Sequence, residues 1–136
     1  MLKKIMAAAV LVLSGYAVGR ASQTAPSHVY EMRTYTATEG KLDAVNARFR
    51  DHTRRIFERH NMKSVGYWTP LEGPTAGTTL VYILEHPSRE EARKNWAAFS
   101  ADPEWQKAKA ESEKDGRIVA KAESVFLVPT DYSAIK

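Results

Sequence analysis

The 136-residue chain contains no cysteine. That excludes disulfides, thiolate nucleophiles, thiolate metal sites and lipid attachment through a lipobox-type cysteine, so stability must come from packing alone. Long apolar runs are also missing. The longest, residues 5–18, is broken by Ser14, Gly15 and Tyr16 and is short for a bilayer span. There is no Gly-x-Ser-x-Gly elbow, no P-loop and no dinucleotide fingerprint, which leaves serine-nucleophile and phosphate chemistry without support. No stripe of Lys or Arg interleaved with aromatics is present, as a nucleic-acid surface would need.

What the first residues do contain is the order an export signal requires: basic Lys3 and Lys4, an apolar run from Ile5 to Val18, then small and polar residues. Gly19-Arg20-Ala21 places cleavage after Ala21. An uncleaved signal anchor is the rival reading, and a buried core helix ranks below both. Residues 1–21 are thus expected to be an export signal peptide, 22–27 a linker extended by Pro26, and 28–136 one domain of ordinary size. The compartment expected is a bacterial periplasm or the exterior, with no membrane span left after cleavage.

Removing the leader changes the charge. Of the 20 Lys and Arg, Lys3, Lys4 and Arg20 leave with it and no acid does, so 17 bases face 16 acids. A nearly neutral domain gives no reason to expect nucleic acid or an anionic membrane as partner.

The first segment able to form a strand is His28 to Tyr35. With a period of two it puts Glu31, Arg33 and Tyr35 on one face and Tyr30, Met32 and Thr34 on the other. Past a turn ending at Gly40, Lys41 opens a helix with Leu42, Val45, Phe49 and Ile56 on an apolar stripe that also carries His52. His60-Asn61 ends it, Asn tolerating the left-handed backbone a helix end often needs. Met62 to Thr69 reads as a second strand, Lys63, Val65 and Tyr67 alternating against Ser64, Gly66 and Trp68. Pro70 to Gly77 is a connection. Thr78 to Glu85 is a third strand, apolar enough to be buried on both faces, with His86-Pro87 stopping it.

Ser88 to Glu91 forms a capping box for a second helix carrying Ala92, Trp96 and Phe99. Asp102-Pro103 breaks and restarts this helix as a piece bearing Trp105, Ala108 and Ser112, which ends at Asp115-Gly116. Ile118 to Val128 is the fourth strand, closed by Pro129, and 131–136 is a tail. Strand, helix, strand, strand, helix, strand describes an α+β ferredoxin-like βαββαβ split fold: a four-stranded antiparallel sheet with helices on one face. The other face stays uncovered. It would hold either the Glu31 row or the Tyr30 row, and a second copy is the economical cover, giving a homodimer in which two sheet faces close an α/β barrel.

Four residues are candidates for ligand binding. Arg33 could hold an anionic or carbonyl-bearing molecule, Glu31 could orient it and Tyr35 could donate a hydrogen bond. The competing role for Glu31 and Arg33 is an ion pair that fixes sheet register. Trp68, beside a glycine that leaves room for an approach, is the candidate cavity wall, or else a dimer-interface anchor. His52 is the one candidate general base, against the more ordinary role of a hydrogen-bonded core histidine. It has no second His at i+4, and His28, His60 and His86 lie in or beside turns, so neither a metal nor any other cofactor is expected.

Tyr30-Glu-Met-Arg-Thr-Tyr35, Gly40, Arg59-His60-Asn61, Val65-Gly-Tyr-Trp68, Asp102-Pro-Glu-Trp105 and Pro129 together resemble the NIPSNAP family of the dimeric α/β-barrel group. The match runs over essentially the whole mature chain. Met32 and Tyr67 stand where Leu and Phe are expected, and Asn61 where Gly is usual. The resemblance implies a ferredoxin-like subunit, dimerisation through sheet faces and a small, partly apolar cavity. It implies no reaction, since the wider group includes cofactor-free oxygenases, isomerases, chlorite- and haem-handling proteins and simple binders. The expectation is a protein that binds a small, partly hydrophobic ligand. A cofactor-independent oxygenase or isomerase, with His52 as base and Arg33 stabilising an enolate-like oxygen, is the alternative. A dimeric interaction module without ligand is the third.

Overall fold

The computed structural model describes residues 28–136, so the export-signal and linker readings of 1–27 lie outside the described residues. The alternating segment at the start becomes β1 (Val29–Ala37), which lies inside the sheet rather than at its edge. β3 (Thr79–His86) and β4 (Val119–Leu127) flank it, and β2 (Lys63–Trp68) pairs outside β3, giving the order β2-β3-β1-β4 with all neighbours antiparallel. This is the split ferredoxin-like arrangement that the element order implies.

All helices lie on one face. The first helical run is α1 (Leu42–Arg48), a π-helical turn (Phe49–Thr53) and α2 (Arg54–Arg59). The Arg54 N–H reaches back five residues to the Phe49 carbonyl. The extra residue rotates everything after it, so Thr53 takes the core position that a uniform helix would give to His52. His52 is accordingly half-buried on the flank, a correction to its place on the apolar stripe. The run ends at Asn61, whose φ of 56° is the left-handed turn expected of it.

The other pair is α3 (Arg89–Ala101) and α4 (Pro103–Ser112). The Ser88 hydroxyl accepts from the Glu91 N–H at 3.1 Å. Asp102 accepts from the Glu104 and Trp105 N–H groups at 2.8 and 3.4 Å, with Pro103 in the first turn where its missing N–H costs nothing. The same carboxylate bonds His60 and Arg59, both at 2.7 Å, tying the end of α2 to the start of α4.

The core lies between helices and sheet. It is built on Val45, Phe49, Ile56, Phe57 and Phe99 from the helices and Leu80, Tyr82 and Leu84 from β3. Two expectations need correcting. β3 is fully buried on one face only: Leu80, Tyr82, Leu84 and His86 are closed while Val81, Ile83 and Glu85 are half-buried. A bulge between Ser64 and Gly66 also breaks the alternation of β2, so Tyr67 shares a face with Ser64, their oxygens 2.6 Å apart, and not with Lys63.

The helix-free face carries Tyr30, Met32 and Thr34, with Val81, Ile83, Trp68, Val125 and Leu127 beside them by register. Trp68 is 51% exposed, and its ring lies over Gly66 so closely that a Cβ there would stand 2.5 Å from Cη2. The tail folds back at one end of this face, where the Tyr30 hydroxyl donates to the Lys136 carbonyl at 2.6 Å.

Candidate functional site

The row Glu31, Arg33, Tyr35 points into the protein, under the helices. Register places Phe126, Ser124 and Ala122 of β4 opposite these three in turn. Because β4 is an edge strand that the helices only partly roof, the row lies along an open seam.

Glu31 is the hub of that seam. It is 2% exposed, and each carboxylate oxygen accepts two hydrogen bonds. Arg33 Nη1 and Ser124 Oγ donate to Oε1, both at 2.7 Å. Trp96 Nε1 at 2.7 Å and His86 Nε2 at 3.0 Å donate to Oε2. Burial alone would push the carboxyl pKa up. The bonds from His86, Trp96, Ser124 and Arg33 outweigh it and hold the value at about 2, so Glu31 is a carboxylate.

The hub fixes two groups above it. The Arg33 guanidinium stacks 4.2 Å from the centre of the Trp96 ring and 5.7 Å from that of Tyr35. Trp96 is thus held through its indole N–H and through its face. Arg33 Nε, His86 Nδ1 and the Tyr82 hydroxyl are buried with no partner of good geometry among the described residues. Burial pushes the Tyr82 phenol pKa well up, so it stays neutral.

A cleft of about 600 Å³ opens on the Glu31 side of Arg33. Glu31, Trp96 and Phe126 form its wall, and Arg89, Glu90 and Arg93 of α3 stand at its mouth. Arg89 lies 5.0 Å over the Phe126 ring. A second cleft of about 400 Å³ opens on the Tyr35 side, lined by Tyr35, Arg48, Trp105, Lys109, Glu113, Arg117, Val119 and Ala122. Arg33 stands between the two by register.

Glu31, Arg33 and Tyr35 therefore come together as their spacing implied. Trp68 does not join them, because it lies on the opposite face of the sheet. His52 does not join them either: it lines shallow clefts of about 290 and 270 Å³ between the π turn and α4, with Asp51, Ala108 and Glu111. His86, Trp96, Ser124, Arg89, Arg93 and Phe126 complete the site and were not read from sequence as parts of it. For His86 a signal existed: Leu80, Tyr82, Leu84 and His86 continue one face at a period of two. Among the described residues, no three His, Asp or Glu side chains gather in a way that could hold a metal ion.

The NIPSNAP family model matches residues 30–134, from the second residue of β1 through all the later elements described above. The chain belongs to the NIPSNAP family. A NIPSNAP family protein of unknown function from Agrobacterium tumefaciens superposes with a TM-score of 0.69 at 26% identity, over 80% of this chain and 94% of that one. An uncharacterized NIPSNAP-like domain protein from Burkholderia xenovorans gives the same TM-score at 18% identity, over 80% and 90% of the two chains. A putative antibiotic biosynthesis monooxygenase from Chloroflexus aurantiacus shares the fold more loosely, with a TM-score of 0.50 at 18% identity over 81% and 100%. No curated protein matches the chain. In this NIPSNAP chain the seam under α3 is where buried charge, aromatic wall and open volume coincide.

Proposed function

We propose that this NIPSNAP protein is an exported homodimer that binds a small, partly hydrophobic molecule in the cleft beside Glu31. One observation carries the reading. A buried carboxylate with all its bonds satisfied holds Trp96 and Arg33 rigidly at an open cleft, and such preorganisation is what a binding site needs. Trp96 and Phe126 offer apolar surface to the ligand body, while Arg89 and Arg93 offer charge to an anionic or carbonyl end.

The dimer has separate support. Trp68, Val125 and Leu127 stand on the helix-free face at 51%, 50% and 38% exposure, apolar surface that a second copy of the same face would cover. Export is supported by Lys3, Lys4 and the apolar run 5–18. The oxygenase or isomerase alternative draws no support from the geometry, since His52 lines neither of the clefts that flank Arg33 and His86 is wholly enclosed.

The test is native mass spectrometry of the protein purified from its host envelope. A dimer that retains a small molecule, loses it in the Arg89→Glu/Arg93→Glu variant and keeps it in His52→Ala supports the proposal. A protein that retains nothing under conditions that keep it folded, or one indifferent to the double variant, counts against it. N-terminal sequencing of the same sample reads the cleavage site.

A further inference from the structure

We infer that the second cleft, on the Tyr35 side of Arg33, is a binding site for a small organic anion: a carboxylate or phosphate on a flat or short apolar body. The inference starts from Arg48. Its side chain is 3% exposed, although it stands at the end of α1 where an arginine would ordinarily reach water. The π turn that follows puts Arg48 and Phe49 both inside, and the Thr53 hydroxyl donates to the Arg48 carbonyl at 3.2 Å.

Arg48 Nη1 donates to Glu113 at 3.1 Å and Ser112 at 3.2 Å, and the guanidinium lies 5.1 Å over the Trp105 ring. Its Nε is buried with no partner among the described residues. Lys109 and Arg117 line the same cleft, and no carboxylate among the described residues pairs with either. Three cations thus surround a space of about 400 Å³ that holds one carboxylate, already committed to Arg48. Keeping a guanidinium buried with a single half-shielded acid is costly, and gathering two more cations beside it adds repulsion. A bound anion relieves both terms.

The remaining walls specify the rest of the ligand. Trp105 and Tyr35 present ring surface, and Val119 and Ala122 form an apolar floor. The volume falls within the roughly 300–1,000 Å³ usual for small-molecule sites. Neither Lys109 nor Arg117 touches the first cleft, so this site stands or falls independently of the function proposed above.

Calorimetry on the full mature protein at low salt, with benzoate, phenyl phosphate and neutral benzyl alcohol as probes, tests the inference. At least one of the two anions should bind saturably while benzyl alcohol does not, and the tighter of the two identifies the headgroup. In Arg89→Glu/Arg93→Glu protein, which removes the positive charge of the first cleft, binding should persist, and it should weaken about tenfold or more when Lys109→Ala and Arg117→Ala are added, whose exposed positions leave the core intact. A melting temperature equal to wild type is the control for folding. Absence of saturable anion binding, equal binding of benzyl alcohol, or binding that is lost in Arg89→Glu/Arg93→Glu and kept in Lys109→Ala/Arg117→Ala would overturn it.

Discussion

His86 Nε2 lies 3.0 Å from Glu31 Oε2, two side chains from neighbouring strands that meet diagonally beneath α3, both almost wholly closed to solvent. A histidine at the last position of β3 and a carboxylate near the start of β1 thereby fix the same end of the seam. With Trp96 on the same oxygen, the contact joins two strands and a helix through one acid.

Glu31→Gln should therefore cost far more stability than its size suggests. The amide nitrogen would confront two donors where a carboxylate oxygen accepted both, and Arg33 would lose its buried counter-charge. A loss of roughly 3 kcal/mol in urea denaturation is expected. Ser124→Ala removes a single donor from a site on the edge strand and should cost about 1 kcal/mol.

The same network predicts a pH dependence. Glu31 titrates at about 2 in the folded protein against an ordinary value of 4.5. Its contribution is present in full above about 4.5 and is lost as pH falls through the folded value of about 2. Asp102 and Glu104 are also held low, chiefly by Arg59 and Arg55 respectively, and add to acid sensitivity. The difference between wild type and Glu31→Gln isolates the buried acid. That difference should be large at pH 7, persist near pH 5 and shrink toward pH 2 in denaturant titrations.

Tyr82→Phe should be neutral or stabilising by up to about 1 kcal/mol. The ring is packed among Tyr35, Phe49, Phe57 and Tyr67, while its hydroxyl is buried without a partner of good geometry among the described residues. Removing the oxygen keeps the packing and relieves the desolvated group. A melting curve decides it.

On the helix-free face, Trp68→Glu should convert the proposed dimer to monomer by light scattering while leaving the circular dichroism spectrum unchanged. Gly66→Ala is the subtler probe. Its Cβ would meet the Trp68 ring at 2.5 Å, and the half-exposed ring can swing away. The protomer should keep its melting temperature at low concentration, and dimer dissociation should become easier.

The fold was legible because each local signal agreed with the next. Alternation in β1, the capping box at Ser88, the Asp102-Pro103 restart and the left-handed Asn61 all mark elements where the structure has them. The site was half legible. A period of two grouped Glu31, Arg33 and Tyr35, but which face the helices cover is decided by packing that spacing does not encode. His52 was misplaced because a π turn inserts one residue without any distinctive composition, and the β2 bulge moved Tyr67 in the same way. His86 lies beside a turn by sequence, yet β3 ends on it as a buried residue. Arg89, Arg93 and Phe126 gather at the first cleft only when the start of α3 is brought beside Phe126 of β4.

The most direct test of the proposed binding site uses the three tryptophans. The indole N–H resonances of Trp68, Trp96 and Trp105 are recorded by nitrogen-15 NMR on protein stripped of small molecules, before and after adding back a small-molecule extract of its host. A ligand in the Glu31 cleft moves the Trp96 resonance, whose N–H donates to Glu31 at 2.7 Å, and leaves Trp68 in place. Movement of Trp68 with Trp96 unchanged would put the ligand on the helix-free face and contradict the assignment of the seam as the binding site.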